Sequence, residues 1–216
     1  MFRPLGVPSW NGWRARPCPV SPRSADVLRA YLAGPDIFLP DAVRWAERKK
    51  QICAQYGLIG VSPLDSLPNE PPEWAALPEW RRIALRNEAL IRSCDLMIAN
   101  LTPFRGPSAD VGTVYEVGFM RALGRPVFGY ATTATGFTRR VLDFARQRGG
   151  ATSAPDGPWR DADGMLIEQF GRFDNLMIEG GILASGGILV TDEIPAERRW
   201  TDLTVFERCV RAAVAL

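Results

Sequence analysis

The chain has 216 residues, 46% apolar and 23% charged, with a net charge of +2 and no histidine. That length builds one domain with a proper core; the near-neutral charge gives no nucleic-acid surface, and no apolar run approaches the ~20 residues of a membrane helix. Without histidine, Ser-His-Asp and Cys-His catalysis are excluded, so acid–base chemistry falls to carboxylates, Lys, Tyr or Cys.

Residues 1–26 are Pro-rich and aperiodic and read as an irregular N-terminal arm, packed by Trp10 and Trp13, ahead of a domain over 27–216. Pro and Trp stand where a signal peptide needs continuous apolar residues, so the protein is read as cytoplasmic. Cys18, Cys53, Cys94 and Cys209 are widely spaced, form no CxxC pair and read as reduced structural thiols. Neither a metal nor a cofactor is expected.

The elements follow in chain order. Residues 27–35 form a short apolar strand ended by Gly-Pro. Residues 41–57 form a helix capped by Asp41, with Val43, Ala46, Ile52 and Tyr56 as its apolar face and Gly57 as its stop. A second strand covers 58–63, a Pro-rich loop 64–78 and a helix 79–94. The run 95–103 is almost continuously apolar, as in a strand covered on both faces. A loop at 105–110 leads to a helix at 111–124 closed by Gly124, then a strand at 125–131 and a helix at 138–149. Residues 151–164 read as a polar loop, and 173–190 mixes apolar residues with glycine and receives no assignment. Residues 201–216 form an amphipathic helix with Leu203, Phe206, Val210 and Val214 near one face. Alternating strands and helices predict an α/β domain with a parallel sheet flanked by helices. Ligands of such sheets bind beyond the carboxyl ends of the strands, here the loops 34–40, 62–78 and 102–110.

The helix at 111–124 poses a chemical question. Glu116 shares a face with Thr113, Phe119, Met120 and Leu123, and an unpaired buried carboxylate is costly. One reading is structural: a glutamate bonded to a backbone N–H or a tyrosine. The other is chemical, because Asp110 begins the same helix at the ligand edge. Asp110 alone reads most simply as an N-cap. Two carboxylates near a pocket, without histidine, suit glycosidic chemistry, in which a carboxylate attacks an anomeric carbon and holds the sugar as an ester.

Residues 30–41 (AYLAGPDIFLPD), 94–127 (CDLMIANLTPFRGPSADVGTVYEVGFMRALGRPV) and 173–180 (FDNLMIEG) together resemble the nucleoside 2-deoxyribosyltransferase family. The resemblance spans residues 28–180. It implies a flavodoxin-like fold and transfer of a 2-deoxyribosyl group between nucleobases through a covalent sugar–enzyme ester, with retention. It makes Glu116 the nucleophile, gives Asp110 the sugar hydroxyls, and makes Tyr31 the residue that orients the nucleophile. Tyr31 would otherwise be an aromatic core residue. Gly34 and Phe38, on the first loop, become substrate-binding residues. Asn175 and Met177 match a pair inserted into a neighbouring subunit's site, where the Asn bonds the sugar; without the other motifs they read as a loop amide beside a core Met. The implied assembly is a homo-oligomer with shared sites, its partners nucleosides and free nucleobases. The sequence departs from the family at Asn87, eight residues before Asp95, where some members carry an aspartate that protonates the departing base. An amide can bond a base but donates a proton poorly. Asp95 lies at the far end of its strand and reads as structural, while Asp65, Asn69 or Trp74 of the second loop could touch the base.

Two rival readings stay open. A hydrolase of deoxynucleoside 5′-monophosphates would use Arg105 and Ser108 for the phosphate. A nucleotide-sensing module without turnover would need neither carboxylate. A dinucleotide enzyme is disfavoured, since no GxGxxG follows the first strand.

Overall fold

A computed structural model describes residues 27–153 and 157–215. The arm over 1–26, with Trp10, Trp13 and Cys18, lies outside the described residues. The elements run β1 (Arg29–Ala33), α1 (Ala42–Gln55), β2 (Ile59–Val61), α2 (Glu79–Arg92), β3 (Leu96–Asn100), α3 (Val111–Ala122) and β4 (Val127–Ala131). They continue with α4 (Phe137–Arg146), β5 (Ala151–Thr152), β6 (Arg160–Asp161), α5 (Leu176–Ala184), β7 (Leu189–Thr191) and α6 (Thr204–Val214). Short 3₁₀ turns at Pro35–Phe38 and Pro72–Ala76 interrupt the first two ligand-edge loops.

Five strands form one parallel sheet in the order β2-β1-β3-β4-β7. That is the flavodoxin-like order, with its reversal between β1 and β3. Strand alternation divides the core. Tyr31, Ala33, Met97, Ala99 and Val127 face Leu90 and Ile91 of α2, Val117 and Met120 of α3, and Ile178 and Ile182 of α5. Ala30, Leu32, Leu96, Ile98, Phe128 and Tyr130 face Cys53 of α1 and Val205, Phe206, Cys209 and Val210 of α6. β3 and β4 are buried along their whole length, which explains their unbroken apolar runs. No helix among the described residues is long and apolar enough to cross a membrane.

Several elements differ from expectation. The unassigned stretch 173–190 holds both α5 and the fifth sheet strand, β7. Glycines masked both, yet Gly187 is where chain meets chain: a Cβ there would fall 1.8 Å from the Val127 carbonyl oxygen. The polar loop 151–164 contains the antiparallel β5–β6 ribbon. In α1, Val43 is exposed, and the fully buried positions are Lys49 and Cys53. In α6, Val214 is exposed and Cys209 and Ala213 take its place in the core. Cys53, Cys94 and Cys209 are free and buried, and burial pushes the first two thiols up to about 12 and about 11.

Candidate active site

Tyr31 stands on β1 with its side chain turned toward α3, and its hydroxyl donates to Glu116 Oε1 at 2.7 Å. Tyr31 is fully buried, and burial together with the Glu116 charge raises its pKa, so it remains an O–H donor at neutral pH. Glu116 is half-buried in the second turn of α3. Its Oε2 bonds to no described residue and is not among the enclosed polar atoms. One oxygen is therefore fixed while the other reaches solvent.

Burial pushes the Glu116 carboxyl up to about 7, the Tyr31 hydrogen bond pulls against that, and the Asp110 charge adds to the rise. A carboxylic acid with that pKa is about half ionised at neutral pH. If its anion is the nucleophile, turnover should rise with pH through that region. Tyr31→Phe removes the bond that favours the anion, so the acid limb of the kcat/KM profile should move to higher pH, with a fall in kcat. An unmoved limb would show that Tyr31 does not act through Glu116.

Asp110 caps α3. Its Oδ2 accepts from the Thr113 backbone N–H at 2.9 Å and the Thr113 hydroxyl at 3.0 Å. The capping role anticipated from sequence is thus present, and only Oδ2 is occupied by it; Oδ1 takes no bond from a described residue. The cap also fixes the carboxylate six residues ahead of Glu116, on the same helix and at the same sheet edge.

Gly34 has φ 155°, and a Cβ there would sit 2.6 Å from Asp36 Oδ2 and 2.7 Å from Asn100 Cβ. Only glycine lets the loop after β1 lie against the end of β3. Asp36 is held by two bonds from Asn100 Nδ2, at 3.1 and 3.2 Å, and by Lys49 Nζ at 2.6 Å. Phe38, at the end of the same turn, is 54% exposed although its ring stacks on Phe104. Asn87 lies on α2, half-buried, and its Oδ1 is enclosed without a partner among the described residues. A buried acceptor left without a donor costs ~1–3 kcal/mol.

Asn175 and Met177 are not brought to Glu116 within one chain. Asn175 caps α5, accepting from Met177 N at 3.0 Å, and donates to Glu168 Oε1 at 2.6 Å. With Met177 it lines a groove of about 510 Å³ against Val111, Val114 and Gly118 of α3. At ~100° per residue, those α3 positions lie on the side of the helix opposite Glu116. Met177 is 69% exposed and Val111 85%.

Three other candidates are engaged elsewhere. Ser108 donates to Asp174 Oδ1 at 2.5 Å. Asp65 pairs with Lys50 at 2.5 Å and accepts from Ser62 N at 2.9 Å. Asp95 accepts from the Arg29 N–H at 2.9 Å, a structural bond between the starts of β3 and β1.

The family model described as "Nucleoside 2-deoxyribosyltransferase" matches residues 30–177. The chain belongs to the nucleoside 2-deoxyribosyltransferase family. An uncharacterised protein of Schizosaccharomyces pombe is 33% identical over 169 residues, 75% of this chain and 80% of that protein. A solved 2-deoxyribosyltransferase from Leishmania mexicana is 25% identical and superposes with a TM-score of 0.51, over 82% of this chain and 96% of its own. A conserved protein from Enterococcus faecalis shares the fold at 20% identity and a TM-score of 0.50, over 86% of this chain and 98% of its own.

Two buried residues of this deoxyribosyltransferase-family chain escaped the sequence reading. Asp174, 1% exposed, receives Ser108 Oγ, the Ala109 N–H at 3.1 Å, the Asn175 N–H at 2.7 Å and Arg140 Nη2 at 3.1 Å. It ties the loop presenting Asp110 to the start of α5. Its signal was adjacency to Asn175 in FDNLM, where only the amide and the Met drew notice. Lys49, 4% exposed, anchors Asp36 from below, and nothing in an Arg- and Lys-rich helix marks it as buried.

Proposed function

We propose that this protein transfers a 2-deoxyribosyl group between nucleobases through a covalent ester on Glu116. The supporting observation is the Tyr31–Glu116 pair: a half-buried carboxylate with one oxygen fixed at 2.7 Å and the other free. The free oxygen attacks C1′ of a deoxynucleoside. The C1′–N bond breaks, the base leaves with the bonding electrons and takes up a proton, and an acylal ester joins the sugar to Glu116. A nitrogen of a second base then attacks C1′ from the opposite face and expels the carboxylate. Two inversions give net retention. The anion also stabilises the oxocarbenium-like charge that develops at C1′.

Asp110, through Oδ1, takes the sugar hydroxyls. Asn87 meets the base through its amide N–H groups, which are not enclosed as its Oδ1 is. The proton on the leaving base comes from water or another acid, since an amide is a poor donor. Asn175 and Met177 complete a neighbouring subunit's site, which agrees with the exposure of Met177 and with the groove the two line on the far side of α3 from Glu116. The active form is then at least a dimer. Phosphate-directed hydrolysis loses one of its two candidate groups, because the Ser108 hydroxyl is committed to Asp174.

Incubation with deoxyinosine and adenine should yield deoxyadenosine; release of free deoxyribose alone would mean hydrolysis. Sedimentation at assay concentration should show activity only where the oligomer persists. A fully active monomer would refute site sharing.

A further inference from the structure

The edge of the sheet above β1 and β3 carries an aromatic cluster that core packing does not require. Phe38, on the turn after β1, stacks on Phe104, on the loop after β3, with centroids 5.4 Å apart and planes 8° apart. Trp200, from the segment between β7 and α6, meets Phe104 edge-on at 6.0 Å and 89°. The Arg105 guanidinium lies over both phenyl rings, 5.0 Å from Phe38 and 4.6 Å from Phe104. The cluster sits at the strand ends that also carry Asp36, Asn100 and the Asp110 loop.

Three features set Arg105 apart. Its φ is 56°, a left-handed conformation that a non-glycine residue adopts at a cost of ~1–2 kcal/mol. The turn closed by Phe104 N–H to the Ser108 carbonyl, at 3.0 Å, imposes it. Glycine would relieve that cost, yet arginine occupies the position and glycine the next one, Gly106. Among the described residues Arg105 makes no ion pair or hydrogen bond, so its N–H groups are available while its central carbon rests against the two rings.

We propose that Phe104, Arg105 and Trp200, with Phe38, form the wall that selects the nucleobase, and that Arg105 selects 6-oxopurines over 6-aminopurines. This rests on the function proposed above and names its substrate class. Trp200 braces Phe104, Phe104 braces Phe38, and the exposed aromatic surface supplies a stacking platform that accepts any planar base. The guanidinium has five donors and no acceptor. It matches a base edge that presents a carbonyl beside a ring nitrogen, the O6/N7 edge of an oxopurine, as in the bidentate contact that reads guanine. An exocyclic amine at the same position sets donor against donor.

The experiment is binding without turnover, in full-length Glu116→Gln protein, titrated calorimetrically with deoxyinosine and with deoxyadenosine. Deoxyinosine should bind more tightly. Arg105→Gly suits the left-handed backbone, so the loop persists and only the guanidinium is lost. That change should weaken deoxyinosine about tenfold and leave deoxyadenosine within about twofold, consistent with one bidentate contact. Arg105→Lys should not restore the preference, because an ammonium lacks the planar fork. Phe104→Leu should weaken both ligands alike. Equal affinities at the outset, equal losses on Arg105→Gly, or no binding of either nucleoside would overturn the proposal. Failure of the proposed transferase activity shows separately, as wild-type protein that breaks no glycosidic bond, and leaves these affinity ratios standing.

Discussion

Glu116→Gln should lower base exchange by about ten-thousand-fold or more, the scale on which removal of a covalent nucleophile is felt. The substitution keeps the shape of the side chain and an oxygen to accept the Tyr31 hydroxyl, so the fold should persist. It should also raise stability at pH 8. Burial makes the folded protein hold the Glu116 proton more tightly than the unfolded chain does, since its pKa is raised from 4.5 to about 7. The resulting stability is fully present below pH 4.5 and is lost as pH rises through about 7, so above that the wild type carries the cost of a partly desolvated anion. A neutral amide does not titrate. Thermal melts of the two proteins should therefore diverge between pH 5 and 8, with the variant melting higher at the alkaline end. A variant that is inactive and also less stable at pH 8 would point to lost packing instead of lost chemistry.

The second large effect is expected at Lys49. Its ammonium is 2.6 Å from Asp36 Oδ2 and donates to the Tyr130 hydroxyl at 2.7 Å. It also lies 5.4 Å from the centre of the Tyr130 ring and 5.3 Å from that of Phe206, so α6 packs over the same cation. Lys49→Met leaves Asp36 without its counter-ion in an enclosed site, a change that costs ~3–5 kcal/mol for buried pairs. Urea titration should show that loss. The loop Gly34–Phe38 should loosen with it, raising KM more than it lowers kcat. Adding Asp36→Asn should recover part of the stability, because the double variant buries no unpaired charge. Losses that simply add would mean the pair is not coupled.

The legible parts of this molecule are those whose signal is local. The continuous apolar run of β3 announces a strand covered on both faces, and the strand–helix alternation through β4 announces a parallel sheet. Glu116 stood out because an acid on an otherwise apolar helical face asks for a partner, and Asp110 because of its place at the helix start. What remained hidden is non-local. Lys49 looks like surface, since the sequence of α1 does not show that Tyr130, 81 residues away, supplies its bond. Asp174 gains its role from Ser108 and Arg140, far from it in sequence. The union of Phe38, Phe104 and Trp200 depends on three separate loops meeting at one edge. α5 and β7 were obscured because the glycines that permit close contact also weaken propensity and periodicity.

Trapping of the sugar bears most directly on the central claim. Wild-type protein incubated with a slowly released deoxynucleoside, quenched in acid and digested, should carry the mass of one deoxyribosyl group on the peptide containing Glu116. Fragmentation should place it on that side chain, and Glu116→Gln protein should carry none. A deoxyribosyl group on any other residue, or base exchange by wild type with no modified peptide at any time, would contradict the account.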